Sequence, residues 1–455
     1  MRRRVGRPRL QHIVVVTLLA LLAVAVASAQ GQTGTPPPLL LVISIDGLRP
    51  DHVLAADARG ARIPNLRRFL REGAFAAGVV GVIPTTTYPS HATLVTGVWP
   101  ARHGILANTT FDPLRKNQQG WYWYAEDLRV PTLWDAATGA GLVTASIQWP
   151  VTVGARITWK IPEVWRASTA DDAKLLRAVS TPGLLVDLER ELGAYPRALD
   201  IDADESRARF AVRLLETRRP NLFTLHLIAL DHSQHEAGPW SPETLAVLER
   251  LDTIVGRLRE AAERLSPGRA WVGVVSDHGF ARVDMQLNLF PAFRAADLFT
   301  TDGNGRISDW KAIPWISGGS AAIVLKDPTD AATLAAVRGV LDRVAGDPAN
   351  GIDRILDADQ LHRRGGFPPA SFLVGLKPEW QMGSSVSGPL LSKKPGGAHG
   401  HLPDLPDLRA SFFLMGPGVP AGRALGIIDM RDIAPTLAHL LGVTLPSADG
   451  RVLFR

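Results

Sequence analysis

Leu39-Leu40-Leu41-Val42-Ile43-Ser44-Ile45-Asp46-Gly47 decides how the rest of the chain is read. Six of its first seven residues are apolar and nothing alternates, so a strand here must be covered on both faces. The run then stops on a carboxylate followed by glycine. Strands covered on both faces belong to parallel sheets flanked by helices, and such sheets bind their ligands beyond the carboxyl ends of the strands. Asp46 stands at that position.

Two more apolar runs end the same way, Leu222 to Leu230 before Asp231 and Ala270 to Ser276 before Asp277. His235 follows Asp231 at ligand-like spacing and His278 follows Asp277 directly, while His399 sits in a glycine-rich turn ahead of the apolar run Ala410 to Met415. Between the runs lie amphipathic stretches, Pro64 to Gly73, Val130 to Gly141, Ser206 to Arg218 and Pro242 to Leu265. The expected fold is α/β, a mostly parallel central sheet with helices on both faces. From Arg282 to Leu391 the texture changes: Ser320 to Leu325 and Ser371 to Leu376 read as strands, and Asp330 to Ala345 as a helix capped by Thr329. No ligand candidate falls there. Residues 282–391 are therefore expected to be a cap subdomain inserted into a catalytic core of residues 39–281 and 392–455.

The chain has 455 residues and no cysteine, so any metal must be held by nitrogen and oxygen. Arginines at positions 2, 3, 4, 7 and 9, an apolar stretch from Ile13 to Val26 and Ala27-Ser28-Ala29 read as a signal peptide over 1–29, cleaved after Ala29. Export to the periplasm or medium follows, with a membrane as partner only if the segment is retained. Gln30 to Pro38 reads as a polar tether. Those five arginines supply most of the formal +6, leaving +1 for the mature chain, which does not describe a stable nucleic-acid partner.

Three carboxylates and three imidazoles suit a pair of zinc-like divalent ions. Two such ions against Asp46, Asp231 and Asp277 leave one formal positive charge, which attracts phosphate. The nucleophile is sought in Pro84-Thr85-Thr86-Thr87-Tyr88-Pro89-Ser90-His91, ahead of the expected helical turns Ala92 to Thr96, with three threonines as candidates. A threonine hydroxyl becomes nucleophilic at neutral pH beside a divalent ion. His91, His103, His226 and His232 read as structural, and Trp121 to Tyr124 as a small satellite core. Gly318-Gly319 matches no phosphate-binding motif.

The blocks Ile45 to Arg49 (IDGLR), Pro84 to Gly97 (PTTTYPSHATLVTG), Ala101 to Asn108 (ARHGILAN), Asp231 to Pro239 (DHSQHEAGP), Ser276 to Phe280 (SDHGF) and Gly397 to Gly400 (GAHG) occur in this order. Together they closely resemble the nucleotide pyrophosphatase/phosphodiesterase branch of the alkaline phosphatase superfamily. Asp429 to Gly442 looks like that family's closing helix. The resemblance implies one zinc on Asp231, His235 and His399, and another on Asp46, Asp277, His278 and the hydroxyl of Thr87. It selects Thr87 because the family's nucleophile precedes an aromatic residue and a proline, and it makes Asn108 a donor to a phosphate oxygen.

The implied reaction is attack by Thr87 on phosphorus and hydrolysis of a phosphothreonine, on a small phosphodiester or nucleotide substrate, with Tyr88 read equally as a stacking face or as packing. Ser90, where the family commonly has asparagine, and Trp149-Pro150-Val151, in place of the more usual Trp-Pro-Gly, depart from the pattern without touching a ligand. Alternatives are a phosphonate hydrolase, a lysophospholipase C-like enzyme or a phosphomonoesterase of the same superfamily, or a binding protein that retains the fold and a metal.

Overall fold

The strand β1, Leu39–Ile45, runs through the middle of an eight-stranded sheet. Its companions in chain order are β2 (Ala74–Phe75), β3 (Thr144–Ile147), β4 (Trp159–Ile161), β5 (Leu222–Leu227), β6 (Ala270–Val275), β7 (Phe412–Met415) and β8 (Arg423–Ala424). Their spatial order is β8-β2-β7-β6-β1-β5-β3-β4. In this computed structural model the described residues are 38–117, 120–166 and 169–454. The expected signal peptide, and the tether apart from Pro38, lie outside them.

β1 pairs in parallel with β5 and β6, Ile45 facing Leu227 and Ser44 facing Val275. All three strands therefore finish at one edge. The unbroken apolar pattern has the expected cause: Leu39, Leu41, Ile43 and Ile45 enter one core, and Leu40 and Val42 enter the core on the opposite face. Helices α1 (Thr87–Thr96), α2 (Ile201–Arg218), α3 (Ala229–Ala237) and α4 (Pro242–Leu265) are among those that pack around the sheet. β7 runs against the others, Phe412 opposite Val275, so its amino end lies where β6 has its carboxyl end. Residues that precede β7 in sequence thus reach the same edge as Asp277.

Several boundaries differ from expectation. The run toward Asp231 is not one strand: β5 stops at Leu227 and α3 begins at Ala229. The cause is Asp204, fully buried in α2, whose Oδ2 accepts from the backbone N–H of both Ile228 and Ala229 at 2.8 Å and starts the helix there. α2 itself begins at Ile201 rather than near Ser206, because Asp200 caps it through Ala203. Asp330, not Thr329, caps Ala331–Ala345, accepting from Thr333 N–H, while the Thr329 hydroxyl donates to Asp327. The closing segment splits into strand Ile427–Asp429, a short 3-10 turn and helix Ile433–Leu440.

Residues 282–391 carry a four-stranded antiparallel sheet, Ala312–Ser317, Ser320–Leu325, Ala370–Leu376 and Ile352–Asp357 in spatial order, backed by the helix Ala331–Ala345. The two ends of this stretch are zipped together. Leu391–Ala398 pairs antiparallel with Ala281–Leu287, Ala398 opposite Ala281, which draws His399 toward His278.

Two buried histidines in neutral form tie local segments together, His103 beside α1 and His52 in the short helix Pro50–Leu54 after β1. His103 Nδ1 accepts from Ile105 N–H at 3.1 Å and its Nε2 lies 3.1 Å from Thr93 Oγ1; His52 Nδ1 accepts from Arg49 N–H at 3.3 Å and its Nε2 donates to Pro239 O at 2.9 Å. Burial pushes His103 down to about 3 and His52 to about 4, from an ordinary 6.5. Above pH 6.5 both states hold these rings neutral. As pH falls toward 4 the unfolded chain takes up protons that the folded rings refuse, so stability drops by an amount on the order of a few kcal/mol per ring. Urea midpoints measured with chelator from pH 7.5 to 4.5 should fall, and His103→Gln, which cannot titrate, should flatten the profile. An unchanged profile in that variant would remove His103 from the account.

Candidate active site

Asp46 follows β1 and Asp277 follows β6, one residue beyond Ser276. The turn at Gly47 donates its N–H to Asp277 Oδ1 at 3.1 Å, and His226 Nε2 meets Asp46 Oδ2 at 3.0 Å. Each carboxylate thus spends one oxygen on the protein. The other oxygens, Asp46 Oδ1 and Asp277 Oδ2, are buried without a hydrogen-bond partner, and so is His278 Nε2. That nitrogen lies 3.4 Å from Asp46 Oδ1 and 3.1 Å from Asp277 Oδ2, out of line for a hydrogen bond. Three unpaired buried donors and acceptors converging on one point describe a cation site.

The second group is built on α3. Asp231 and His235, four residues apart, share one face of the helix, with His235 Nε2 3.4 Å from Asp231 Oδ2. His399 brings Nε2 to 3.7 Å from Asp231 Oδ1, itself buried and unpaired. By ligand-atom distances Asp231 and His399 group with His278, while His235 joins through Asp231 alone. The rings of His278 and His399 stack, centroids 3.7 Å apart and 8° from parallel, so the two groups adjoin. Of the seven expected ligands, Asp46, Asp231, Asp277, His278 and His399 fall in these two groups, and His235 lies beside Asp231.

Backbone carbonyls set the tautomers. Nδ1 of His235 faces Gly397 O, Nδ1 of His278 faces Gly279 O and Nδ1 of His399 faces Thr85 O, at 3.0 to 3.1 Å. Each Nδ1 donates, so Nε2 is the nitrogen that each neutral ring would offer to a metal. The approach of α3 to the strand Leu391–Ala398 requires glycine, since a Cβ at Gly397 would lie 2.4 Å from Gln234 O. The hairpin turn Gly318-Gly319 clasps the loop from the other side. Gly319 N–H donates to His399 O at 2.7 Å, and Gly318, at φ +60°, leaves no room for a Cβ, which would meet that oxygen at 2.1 Å.

Burial, and then repulsion from Asp277 and Asp231, pushes Asp46 well above the usual carboxylate range, against the hydrogen bond from His226. Burial opposes ionisation of Asp277 too, but His278, His91 and His226 hold it well below that range. His278 is lifted to about 9: burial opposes its charge, and the carboxylates of Asp277, Asp46 and Asp231 outweigh it. Burial with His278 and His235 beside it keeps His399 well below the ordinary imidazole range. Three carboxylates so close together cannot all ionise cheaply without a cation among them, and divalent ions would supply it.

Of the three threonines, Thr85 is committed: its hydroxyl donates to His401 O at 2.7 Å. Thr86 is the extended N-cap of α1, and Thr87, 8% exposed, is its first residue. The helix thus starts five residues before the expected Ala92. His91 Nδ1 holds the Thr87 carbonyl at 2.8 Å, and its Nε2 meets Ser44 Oγ at 2.8 Å. Asn108 Oδ1 accepts from Tyr88 N–H at 2.9 Å, which anchors the amide to α1 and leaves its NH2 as the donor.

For Tyr88 the structure selects packing over stacking. It is fully buried, inside a satellite cluster with Trp123, Val151 and Val153, and Trp121 packs against it at 5.3 Å between centroids. It presents no free face for stacking; the half-buried rings on that side are Trp121, Tyr122 and Trp165. His91 and His226, read as structural, both touch the site. A histidine in the apolar run FTLHL was a visible signal for His226; nothing local marks Glu163, 2.9 Å from His226 Nδ1.

A protein-family model described as type I phosphodiesterase / nucleotide pyrophosphatase matches residues 40–400. Human ectonucleotide pyrophosphatase/phosphodiesterase family member 1 is 27% identical over 254 residues, 54% of this chain and 24% of its own. The human bis(5'-adenosyl)-triphosphatase ENPP4 is 26% identical over 263 residues, 56% of this chain and 50% of its own. The chain therefore spans between a quarter and a half of the length of these curated relatives. Among solved structures, murine ectonucleotide pyrophosphatase/phosphodiesterase 5, as an inactive threonine-to-alanine variant in complex with AMP, superposes with a TM-score of 0.65 at 20% identity, covering 91% of this chain and 97% of that one.

Gly318→Ala should lower stability by about 1–3 kcal/mol through backbone strain and the clash with His399 O. Because that clash displaces His399, zinc affinity measured against a competing chelator should fall as well. Wild-type affinity together with a wild-type unfolding midpoint would show that the turn does not hold His399 in place.

Proposed function

This chain belongs to the type I phosphodiesterase / nucleotide pyrophosphatase family, and from that premise we propose an exported hydrolase of phosphodiester or phosphoanhydride bonds, with two zinc ions and Thr87 as nucleophile. The observation that carries this reading is the convergence of Asp46 Oδ1, Asp277 Oδ2, His278 Nε2 and Asp231 Oδ1, all buried and unpaired, at the edge where α1 begins. Asp46, Asp277 and His278 would hold one ion beside Thr87, and Asp231, His235 and His399 the other. Bound there, divalent ions supply the Lewis acidity that makes a hydroxyl or a water nucleophilic at neutral pH.

Thr87 Oγ1 attacks phosphorus in line, an O–P bond forming as the bond to the leaving oxygen breaks, and the leaving oxygen takes up a proton. Water then attacks the phosphothreonine, releases the phosphate monoester and restores the Thr87 hydroxyl. Asn108, held by Tyr88 N–H, offers its NH2 to a non-bridging oxygen. His91 fixes the first turn of α1 through the Thr87 carbonyl, so the hydroxyl keeps its direction. The inactive threonine-to-alanine variant among the structural relatives supports a threonine nucleophile, and its AMP supports a nucleotide-like substrate.

The substrate is a small molecule, since a mature charge of +1 gives no basic track for nucleic acid. Residues 282–391 serve as the cap, and the leader at 1–29 accounts for export. The burial of Tyr88 also favours a second reading, a phosphodiester whose organic group is not a nucleobase, as in a lysophospholipase C-like enzyme.

Thr87→Ala should abolish turnover while metal content, measured by elemental analysis, stays near two ions per chain. Wild-type rates in that variant would refute the nucleophile. Bis(4-nitrophenyl) phosphate should be hydrolysed in preference to 4-nitrophenyl phosphate, and a strong preference for the monoester would overturn the diesterase reading.

A further inference from the structure

β5 carries a histidine among apolar neighbours in sequence; both of its ring nitrogens face oxygen atoms, and the His91 ring packs against it with centroids 4.4 Å apart. His226 is fully buried, with Nε2 3.0 Å from Asp46 Oδ2, and with Nδ1 2.9 Å from Glu163 Oε2 and 3.1 Å from the Gln148 carbonyl. A backbone carbonyl only accepts, so Nδ1 carries a hydrogen; with a cation on Oδ1 Asp46 is ionised and only accepts, so in that state Nε2 carries one too. The ring donates in both directions and is pinned between two carboxylates. Glu163 is also fully buried, just past the end of β4.

The backbone that supplies the third acceptor is strained. Gln148, directly after β3, has φ +60°, and Val151 has φ +58°, conformations costing about 1–3 kcal/mol each in residues other than glycine. Gln148 turns its carbonyl to His226 and its Oε1 to the Tyr195 hydroxyl, 3.0 Å away. An apolar side chain would fill the place of His226 at lower desolvation cost, so packing alone does not account for two buried charged groups. What they reach is one oxygen of Asp46.

We propose that the Glu163–His226 pair is a positioning element for the ion held by Asp46, Asp277 and His278: it takes Asp46 Oδ2 out of coordination and fixes Asp46 as a ligand through Oδ1 alone. The inference rests on the two-ion reading above. It explains why Oδ1 is the unpaired atom and why it faces His278 Nε2 at 3.4 Å. Neither residue touches the reacting atoms; both act through the ligand.

The test is zinc binding to the full mature chain, followed by competition with a chromophoric chelator, and the visible absorption of the cobalt-substituted protein. His226→Leu and Glu163→Gln should each weaken one of the two sites by about 10- to 100-fold, leave the other within about twofold, and shift the cobalt band of the weakened site. His226→Gln, whose amide can place a donor near the former Nε2, should recover most of the affinity lost in His226→Leu. If His226→Leu and Glu163→Gln keep both affinities and the wild-type cobalt spectrum, the proposal fails while the two-ion reading stands. If His226→Leu does not fold by circular dichroism, the isosteric Glu163→Gln decides alone. Fewer than two ions on the wild-type chain would sink the two-ion reading, and this inference with it, before any substitution is made.

Discussion

Asp46, Asp231 and Asp277 are gathered at one edge of a sheet where little water reaches them, and three carboxylates so placed repel one another. Much of the surrounding architecture answers that repulsion. His278, raised by its acidic neighbours, supplies a counter-charge within the cluster, and His226 supplies one behind Asp46. Neither removes the unpaired oxygens, which need a cation if they are to be buried without a large penalty.

Holding such a site together requires that segments far apart in sequence be fixed to within a few tenths of an ångström. The parallel pairing of β1 with β5 and β6 puts two strand ends and the start of α3 side by side. Asp204 starts α3 where Asp231 and His235 share a face. The antiparallel β7 and the zipped pair Ala281/Ala398 return the chain so that His399 stacks on His278. The stretch 282–391 gives no ligand to the site, yet its Gly318-Gly319 turn holds the backbone of His399. A loop so clasped presents its imidazole at little entropic cost when a ligand arrives.

The parts of this arrangement that were legible in sequence are those with a local cause. A strand buried on both faces must be continuously apolar, so β1 and β6 could be read from their composition; α4 matched its amphipathic stretch from Pro242 to Leu265 because its pattern and its Ser241 cap agree. Asp231 was placed at a strand end because apolar residues run on through Leu230, and no local pattern reveals that a carboxylate in α2 would cut the strand and start a helix. Sequence leaves Tyr88 open between stacking and packing, since an aromatic ring suits either. Its burial depends on Trp121, Trp123 and Val153, which arrive from other segments.

Sequence alone determined the fold class and the candidate ligand residues, because strand burial and carboxylate and imidazole identity are written in adjacent residues. Tertiary structure alone decided which oxygen of each aspartate is free, which nitrogen of each histidine is held by a carbonyl, and that the Thr85 hydroxyl is committed. Those properties are hydrogen bonds to carbonyls and side chains tens to hundreds of residues away, from Thr85 to His399 and from Asp46 to His226. Distance along the chain carries no trace of them until the sheet brings the partners to one edge.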